Sequence, residues 1–433
     1  MKKLLFWWSK LKSTFWFVPV LIIALGIALP FWLVYLDNTH AFEPKGGWKY
    51  LFPSSPNAAK DILSTIAGAM IGVAGTVFSI TLVALTLASS QFGPRLIKNF
   101  MYDRINQTVL GTYVSLYIYC LIVLNTVKDT DQLEFVPIIS VFFALLMTIG
   151  NIVLLIIFIH HVANSIQADN IIGKISKNLS KNLEILFPEQ IGKAAASSFD
   201  LEQIKAKFTY SMPLKSNKEG YLQYVDPEKI MEYVSSKDLF IELYFRPGDY
   251  LFLDREIGKV YAHKDLSEEE LEPLKNNFLT GRTRTSQQDA EHAIHQMVEI
   301  AARALSPGIN DPYTAIACID NLSNTMAYLT TVQFPSPYRI GDQDRLRIYA
   351  KALTFEGMMG AAFNAIRQYA KANPPVIIHL MEAMITLSDF AVEQQHKEVI
   401  KKHAKMILNL AELSIDEKND LEDLQKRFDA IQQ

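Results

Sequence analysis

The chain has 433 residues, half of them hydrophobic, and a formal charge of −3. That balance, with neither a basic stripe nor an RNA-binding or helix-turn-helix signature, argues against nucleic acid as a partner. The two cysteines, Cys120 and Cys318, lie in different halves of the chain; they exclude a disulfide framework or a cysteine zinc site and read as buried thiols.

The start, MKKLLFWWSKLK, leads into an apolar run over residues 14–36 that is broken by Pro19 and Pro30. The run is too long for a secretion signal and no small-residue cleavage site follows, so it is expected to be a retained first transmembrane helix. Further spans are expected at about 61–91, 108–127 and 136–161, which makes residues 1–162 a transmembrane domain in contact with the lipid bilayer. Lys2, Lys3, Lys10 and Lys12 precede the first span, Arg95, Lys98 and Arg104 follow the second, and Lys174, Lys177 and Lys181 follow the fourth. The positive-inside rule then puts both termini in the cytoplasm. The five tryptophans, at positions 7, 8, 16, 32 and 48, cluster around the first span as an interfacial belt would.

The second span has an unusual filling. Ser64, Gly68, Gly72 and Thr76 recur at every fourth residue, which leaves one helix face nearly free of bulk, and hydroxyl residues continue through Ser79 toward Ser90. Lipid gives small hydroxyl residues no advantage over leucine, so this face is expected either to pack closely on another helix or to border water. In a symmetric oligomer it would line a pore, with Phe78 and Leu82 as apolar constrictions. Gly93-Pro94 ends the span, and RLIKNFMYDRIN after it reads as an amphipathic interfacial helix, so the pair makes either a gate or a plain elbow.

Residues 163–190 are amphipathic and are expected to extend the fourth span as a helical stalk. Residues 205–263 alternate short strand patterns with turns, among them Arg246-Pro247-Gly248-Asp249, and are expected to form a small β-module. Its spacing, GYLQYVD followed by RPGDYLFLDREIGKVY, looks like a barrel-sandwich hybrid of the lipoyl or biotinyl type. No lysine stands at the hairpin tip where such carriers attach their cofactor, so an assembly or protein-contact module is expected and no cofactor. Residues 264–433 are expected to be a cytoplasmic helical domain, with FPSPYRIGD as a loop within it and a helix starting at Ser286 to Asp289. The fold class is therefore mainly α membrane protein: four transmembrane helices, a small barrel-sandwich-like β-module and a C-terminal helical domain.

The passage GRTRTSQQDAEHAIHQMVEIAARALSPGINDPYTAIACIDNL over residues 281–322, with GYLQYVD, RPGD and the small-residue second span, resembles the bacterial predicted-membrane-protein family known as domain of unknown function 2254. The likeness extends over most of the chain. It implies a multi-pass protein of the bacterial inner membrane with a cytoplasmic C-terminal region, and it supplies no catalytic residues.

Within that passage Ser306-Pro307-Gly308 ends one helix and Asn310-Asp311-Pro312 opens the next. Arg282, Arg284 and Arg303 with Asn310 and Asp311 are expected to form a corner that either binds an anion or is held together by capping and ion pairs. His292, His295 and Glu299 are weak metal-ligand candidates, since no HExxH signature or second ligand-bearing helix accompanies them; the rest of that helix reads as amphipathic. No GxSxG, Walker A or Rossmann fingerprint points to an enzyme.

The expected function is an oligomeric channel for an ion or small solute, with the second span lining the path and the cytoplasmic region regulating or assembling it. This is similar in kind to the small-conductance mechanosensitive channels, which also set a kinked small-residue helix above a β-containing cytoplasmic domain. The alternative is a non-conducting scaffold or sensor whose cytoplasmic half binds a protein partner or an anionic ligand.

Overall fold

The computed structural model describes residues 14–39, 52–53, 55–93, 103–130, 133–186, 193–194, 199–341 and 344–432. The chain divides into two compact units, Met1–Asn170 and Ile171–Gln433.

In the first unit, α1 (Phe17–Thr39), α2 (Pro56–Phe92), α3 (Arg104–Thr126) and α4 (Ile138–Ser165) are each long and apolar enough to cross a membrane. Local caps decide where two of them begin. Ser55 accepts from the Ala58 N–H at 3.2 Å with Pro56 at the first turn, so α2 starts five positions before the hydrophobic run suggests. Asp103 accepts from the Ile105 N–H at 2.9 Å and starts α3 four positions early. A short hairpin, β1 (Lys128–Thr130) with β2 (Leu133–Phe135), joins α3 to α4 and was not legible as strands.

α3 packs against all three other helices, and small residues let it approach α1. A Cβ on Gly26 would lie 2.0 Å from Ser115 Oγ, and one on Gly111 would lie 3.0 Å from the Pro19 Cα. Ser115 donates to the Ile22 carbonyl at 3.1 Å across the same contact. The N-terminus of α4 is capped from a distance: Pro137 offers it no side chain, and Asp37 at the end of α1 accepts from Ile139 N (2.8 Å), Ser140 N (3.1 Å) and Ser140 Oγ (2.7 Å). Tyr113 and Tyr119 donate to the Asn151 and Ser140 carbonyls, so both buried hydroxyls find partners on α4.

The expected continuous stalk is not formed. α4 stops at Ser165, Ile166 and Gln167 are non-helical, and α5 (Ala168–Leu186) is a separate helix. The side chain of Asn170 donates to the Asn164 carbonyl at 2.8 Å and Ser165 turns back to His161, so polar side chains take the place of the helical ladder at this point. α5 buries Ile172, Ile175, Leu179 and Leu183 on one side.

The second unit holds two sheets. The larger has the order β3 (Lys193–Ala194), β10 (Tyr338–Ile340), β11 (Leu346–Ala350), β6 (Phe240–Leu243), β8 (Glu256–Ala262), β4 (Tyr210–Lys215), antiparallel except between β11 and β6. The smaller is β7 (Tyr250–Leu251), β5 (Gly220–Val225), β9 (Phe278–Gly281). α6 (Leu201–Lys205), α7 (Pro227–Ser236) and α8 (Glu268–Lys275) accompany them, and Leu222, Ile230, Ile241, Val260 and Leu274 from both sheets and two helices share one core.

Two expectations are corrected here. The β-module is not confined to 205–263, and the chain after Ser267 is not all helical. FPSPYRIGD carries β10, and β11 slots in parallel beside β6. These strands escaped notice because they are three and five residues long and place charged Arg339 and Arg347 where a strand pattern calls for apolar residues, both side chains being buried.

The remaining helices are α9 (Glu291–Ala304), α10 (Pro312–Thr331), α11 (Phe355–Tyr369), α12 (Pro374–Phe390), α13 (Gln394–Glu412) and α14 (Lys418–Gln432), which pack as a bundle. α9 starts at Glu291, later than the expected Ser286 to Asp289, with the Asp289 carboxylate accepting from the Glu291 N–H at 3.1 Å.

Candidate functional site

The small-residue stripe of α2 faces outward from its own four-helix unit. Ser64, Gly68, Gly72, Thr76 and Ser79 are all exposed, while Leu63, Ala67, Met70, Ala74 and Val77 on the other side of the helix are buried. A Cβ built on Gly68, Gly72 or Gly75 meets nothing within 4 Å, so among the described residues this face has no packing partner within the unit. Phe78 and Leu82 stand out beside it, each about half exposed at 47% and 48%.

The hydroxyls along this face are satisfied within the helix. Thr76 donates to Gly72 O (3.2 Å), Ser79 to Gly75 O (2.9 Å), Thr86 to Leu82 O (2.9 Å) and Ser64 to Asp61 O (3.1 Å). They keep acceptor lone pairs but need no water to be paired. At the end of the helix Gly93, at φ +104, returns its N–H to Ser89 O. Residues 95–102 of the expected interfacial helix, Arg95 and Lys98 among them, lie outside the described residues, whereas its last four residues, 103–106, form the cap and first turn of α3. Nearby, Asp103 both caps α3 and pairs with His161 at 2.7 Å.

In the second unit, the two most distinctive sequence passages meet. Arg284 grips Asp289 through two bonds, Nε to Oδ2 at 2.6 Å and Nη2 to Oδ1 at 2.9 Å. Arg246 of the RPGD turn donates to Glu291 at 2.5 Å, and Asp249 of the same turn accepts from the Arg246 N–H (3.0 Å) and from Lys351 Nζ (3.2 Å). Gln288 forms a reciprocal pair with the Val225 backbone, 2.8 Å and 3.1 Å. Burial works to raise the Glu291 carboxyl, but the His295 ring and the Arg246 guanidinium outweigh it and hold its pKa at about 2.

The expected arginine corner is thereby redrawn. Arg284 is committed to Asp289, whereas Asp311 spends its carboxylate on the Thr314 N–H and hydroxyl as the cap of α10. Asn310 takes φ +48 in the tight connection before it, Arg282 is exposed, and Arg303 sits half-buried in the last turn of α9. Around the RPGD turn Arg246, Arg284 and Lys351 are matched by Asp249, Asp289 and Glu291. Of the histidines, His295 lies 3.7 Å from Glu291; His292 and Glu299 lie on the same helix, and among the described residues no three His, Cys, Asp or Glu side chains come together to hold a metal.

Residues 12–386 match the family described as predicted membrane protein (DUF2254). The chain belongs to this family. It is 28% identical over 381 residues to the uncharacterized proteins MT1328 of Mycobacterium tuberculosis and Mb1321c of Mycobacterium bovis, an alignment that covers 86% of this chain and 72% of each relative. No solved structure matches the chain.

This DUF2254 protein is thus a membrane protein with four apolar spanning helices, a sheet region and C-terminal helices. The match ends within α12, so α13 and α14 lie beyond it. Sequence reasoning treated Arg246 and Asp249 only as turn formers and Asp289 only as a helix start; their joint role needed the turn brought onto the 281–291 segment. Cys318 is a buried thiol pushed up to about 12 by desolvation, which leaves it unreactive at neutral pH.

Proposed function

We propose that this protein resides in the bacterial inner membrane with both termini in the cytoplasm and associates with copies of itself through the outward face of α2. The assembly is an ion or small-solute channel rather than an enzyme, with α2 beside the conducting axis and the C-terminal unit regulating or assembling it. One observation carries the reading: a 37-residue helix turns its glycines and hydroxyls away from its own unit, where a Cβ at Gly68, Gly72 or Gly75 meets nothing. A membrane-facing surface gains nothing from glycine, whereas a close helix contact or a water-lined wall does. The helix is about 55 Å long at 1.5 Å per residue, against a hydrocarbon core of about 30 Å.

The second reading, a non-conducting scaffold or sensor, is favoured by the back-bonded hydroxyls, which need no water. Liposome flux and single-channel recording of the purified protein, beside Gly72→Leu and with the oligomeric mass measured in the same detergent, separate the two. Discrete currents whose conductance changes in Gly72→Leu support the channel. An oligomer that Gly72→Leu disrupts without any current supports the scaffold, and a monomer silent under voltage, tension and pH change overturns the association itself.

A further inference from the structure

Between α2, α3 and α4 the first unit contains a small cavity of about 10 Å³, lined by Thr81 and Leu85 of α2, Asn106 of α3, and Val162 and Ser165 in the last turn of α4. A cavity of about 10 to 15 Å³ has room for one water molecule. Asn106, in the first turn of α3, is only 9% exposed, and its Oδ1 is enclosed with no hydrogen-bond partner among the described residues. Folded proteins rarely leave a buried amide oxygen unmatched, because its lost hydration is not recovered.

What the cavity can hold follows from where the neighbouring protons go. Thr81 donates its hydroxyl to the Val77 carbonyl at 2.8 Å, so its oxygen faces the cavity as an acceptor only. His161 Nε2 lies 2.7 Å from the Asp103 carboxylate and therefore carries the proton of that bond. Ser165 Oγ, 3.3 Å from the same nitrogen, can only accept there, which leaves its own O–H to donate elsewhere. Three helices thus present two acceptors, Asn106 Oδ1 and Thr81 Oγ1, and one donor, Ser165 Oγ. The rest of the lining is apolar.

We propose that this cavity binds a single ordered water molecule that joins α2, α3 and α4. The water donates to Asn106 Oδ1 and Thr81 Oγ1 and accepts from Ser165 Oγ, three bonds being the usual number for a buried water. Through Ser165 it also connects α2 to the Asp103–His161 pair. A metal cation is a poorer match. Hard cations take six or more oxygens, whereas the side chains here supply three, none of them a carboxylate. The nearby carboxylate of Asp103 is already engaged by His161 and by the Ile105 N–H. The site does not depend on whether α2 conducts.

The test is radiolytic hydroxyl-radical footprinting of the full chain in phosphatidylcholine nanodiscs, since radicals made from a bound water oxidise the side chains beside it. Val162 lines the cavity and Val127 does not, yet both are 8% exposed. Val162 is expected to be oxidised several-fold faster than Val127. That excess is expected to be lost in Asn106→Leu and in Thr81→Val, which remove an acceptor while keeping close to the native volume. Equal rates at the two valines in the unmodified chain, or an excess that survives both substitutions, overturns the proposal. So does a melting temperature that rises in sodium chloride over N-methylglucamine chloride at equal ionic strength and loses that rise in Asn106→Leu, which marks an ion site. Should Asn106→Leu fail to fold, Thr81→Val decides, because the Thr81 hydroxyl donates only within its own helix.

Discussion

Gly248 stands so close to Asp289 that a Cβ on it would lie 2.6 Å from the carboxylate Oδ2 and 2.9 Å from Arg284 Nη2. The residue also adopts φ +97, a conformation that L side chains rarely take. Glycine is required here twice over, once for the RPGD turn and once to let that turn sit on the ion pair. Gly248→Ala is expected to destabilise the protein by about 3 kcal/mol from backbone strain and displacement of the pair. The substitution should cost less in an Asp289→Ala background, because the group it collides with is gone. Thermal unfolding of the four proteins of this double-mutant cycle measures the difference, and strict additivity would contradict the contact.

Gly26 and Gly72 make a second comparison. A Cβ on Gly26 lies 2.0 Å from Ser115 Oγ, so Gly26→Ala must push α1 away from α3 and is expected to cost about 2 kcal/mol. A Cβ on Gly72 meets nothing, so Gly72→Ala is expected to leave the melting temperature of the detergent-solubilised monomer unchanged or slightly raised. Intrinsic-fluorescence melts of the two variants test the contrast directly. Equal losses would mean that α2 packs its stripe within the chain.

The pH dependence has two windows. His403 is buried, and desolvation, then the charges of Arg367 and Lys402, lower its pKa from 6.5 to about 4. Between those values the unfolded chain binds the proton and the folded chain does not, so stability falls as pH drops from 6.5 to about 4, by about 3 kcal/mol in all. Glu291 titrates from about 2 in the fold against 4.5 unfolded, so the stability it contributes is complete above 4.5 and is lost below it. Urea unfolding across pH 3 to 8 is expected to show the upper slope flattened in His403→Gln and the lower one reduced in Glu291→Gln, the remainder coming from other carboxylates that the fold also lowers, such as Asp238 beside Arg347.

The four spanning helices were legible because transfer of a long apolar run into lipid depends on composition alone, summed residue by residue. Their starts were less so. Ser55 and Asp103 move α2 and α3 outward by capping, and Asp37 caps α4 from another helix, a role that nothing near Pro137 in sequence announces. The strands β10 and β11 were hidden because sheet neighbours supply the hydrogen bonds that so short a segment cannot earn by pattern.

By itself the sequence determined that this is a membrane protein, where its helices run, and that α2 has a face without bulk, since hydropathy and helical spacing are local properties. Only the tertiary structure decided that this face points away from its own unit, that Arg284 answers to Asp289 while Asp311 caps α10, and that Asp320 of α10 meets His379 of α12. The physical reason is that a helix face is defined by what covers it and an ion pair by which distant segments meet, and both depend on contacts between residues far apart in the chain.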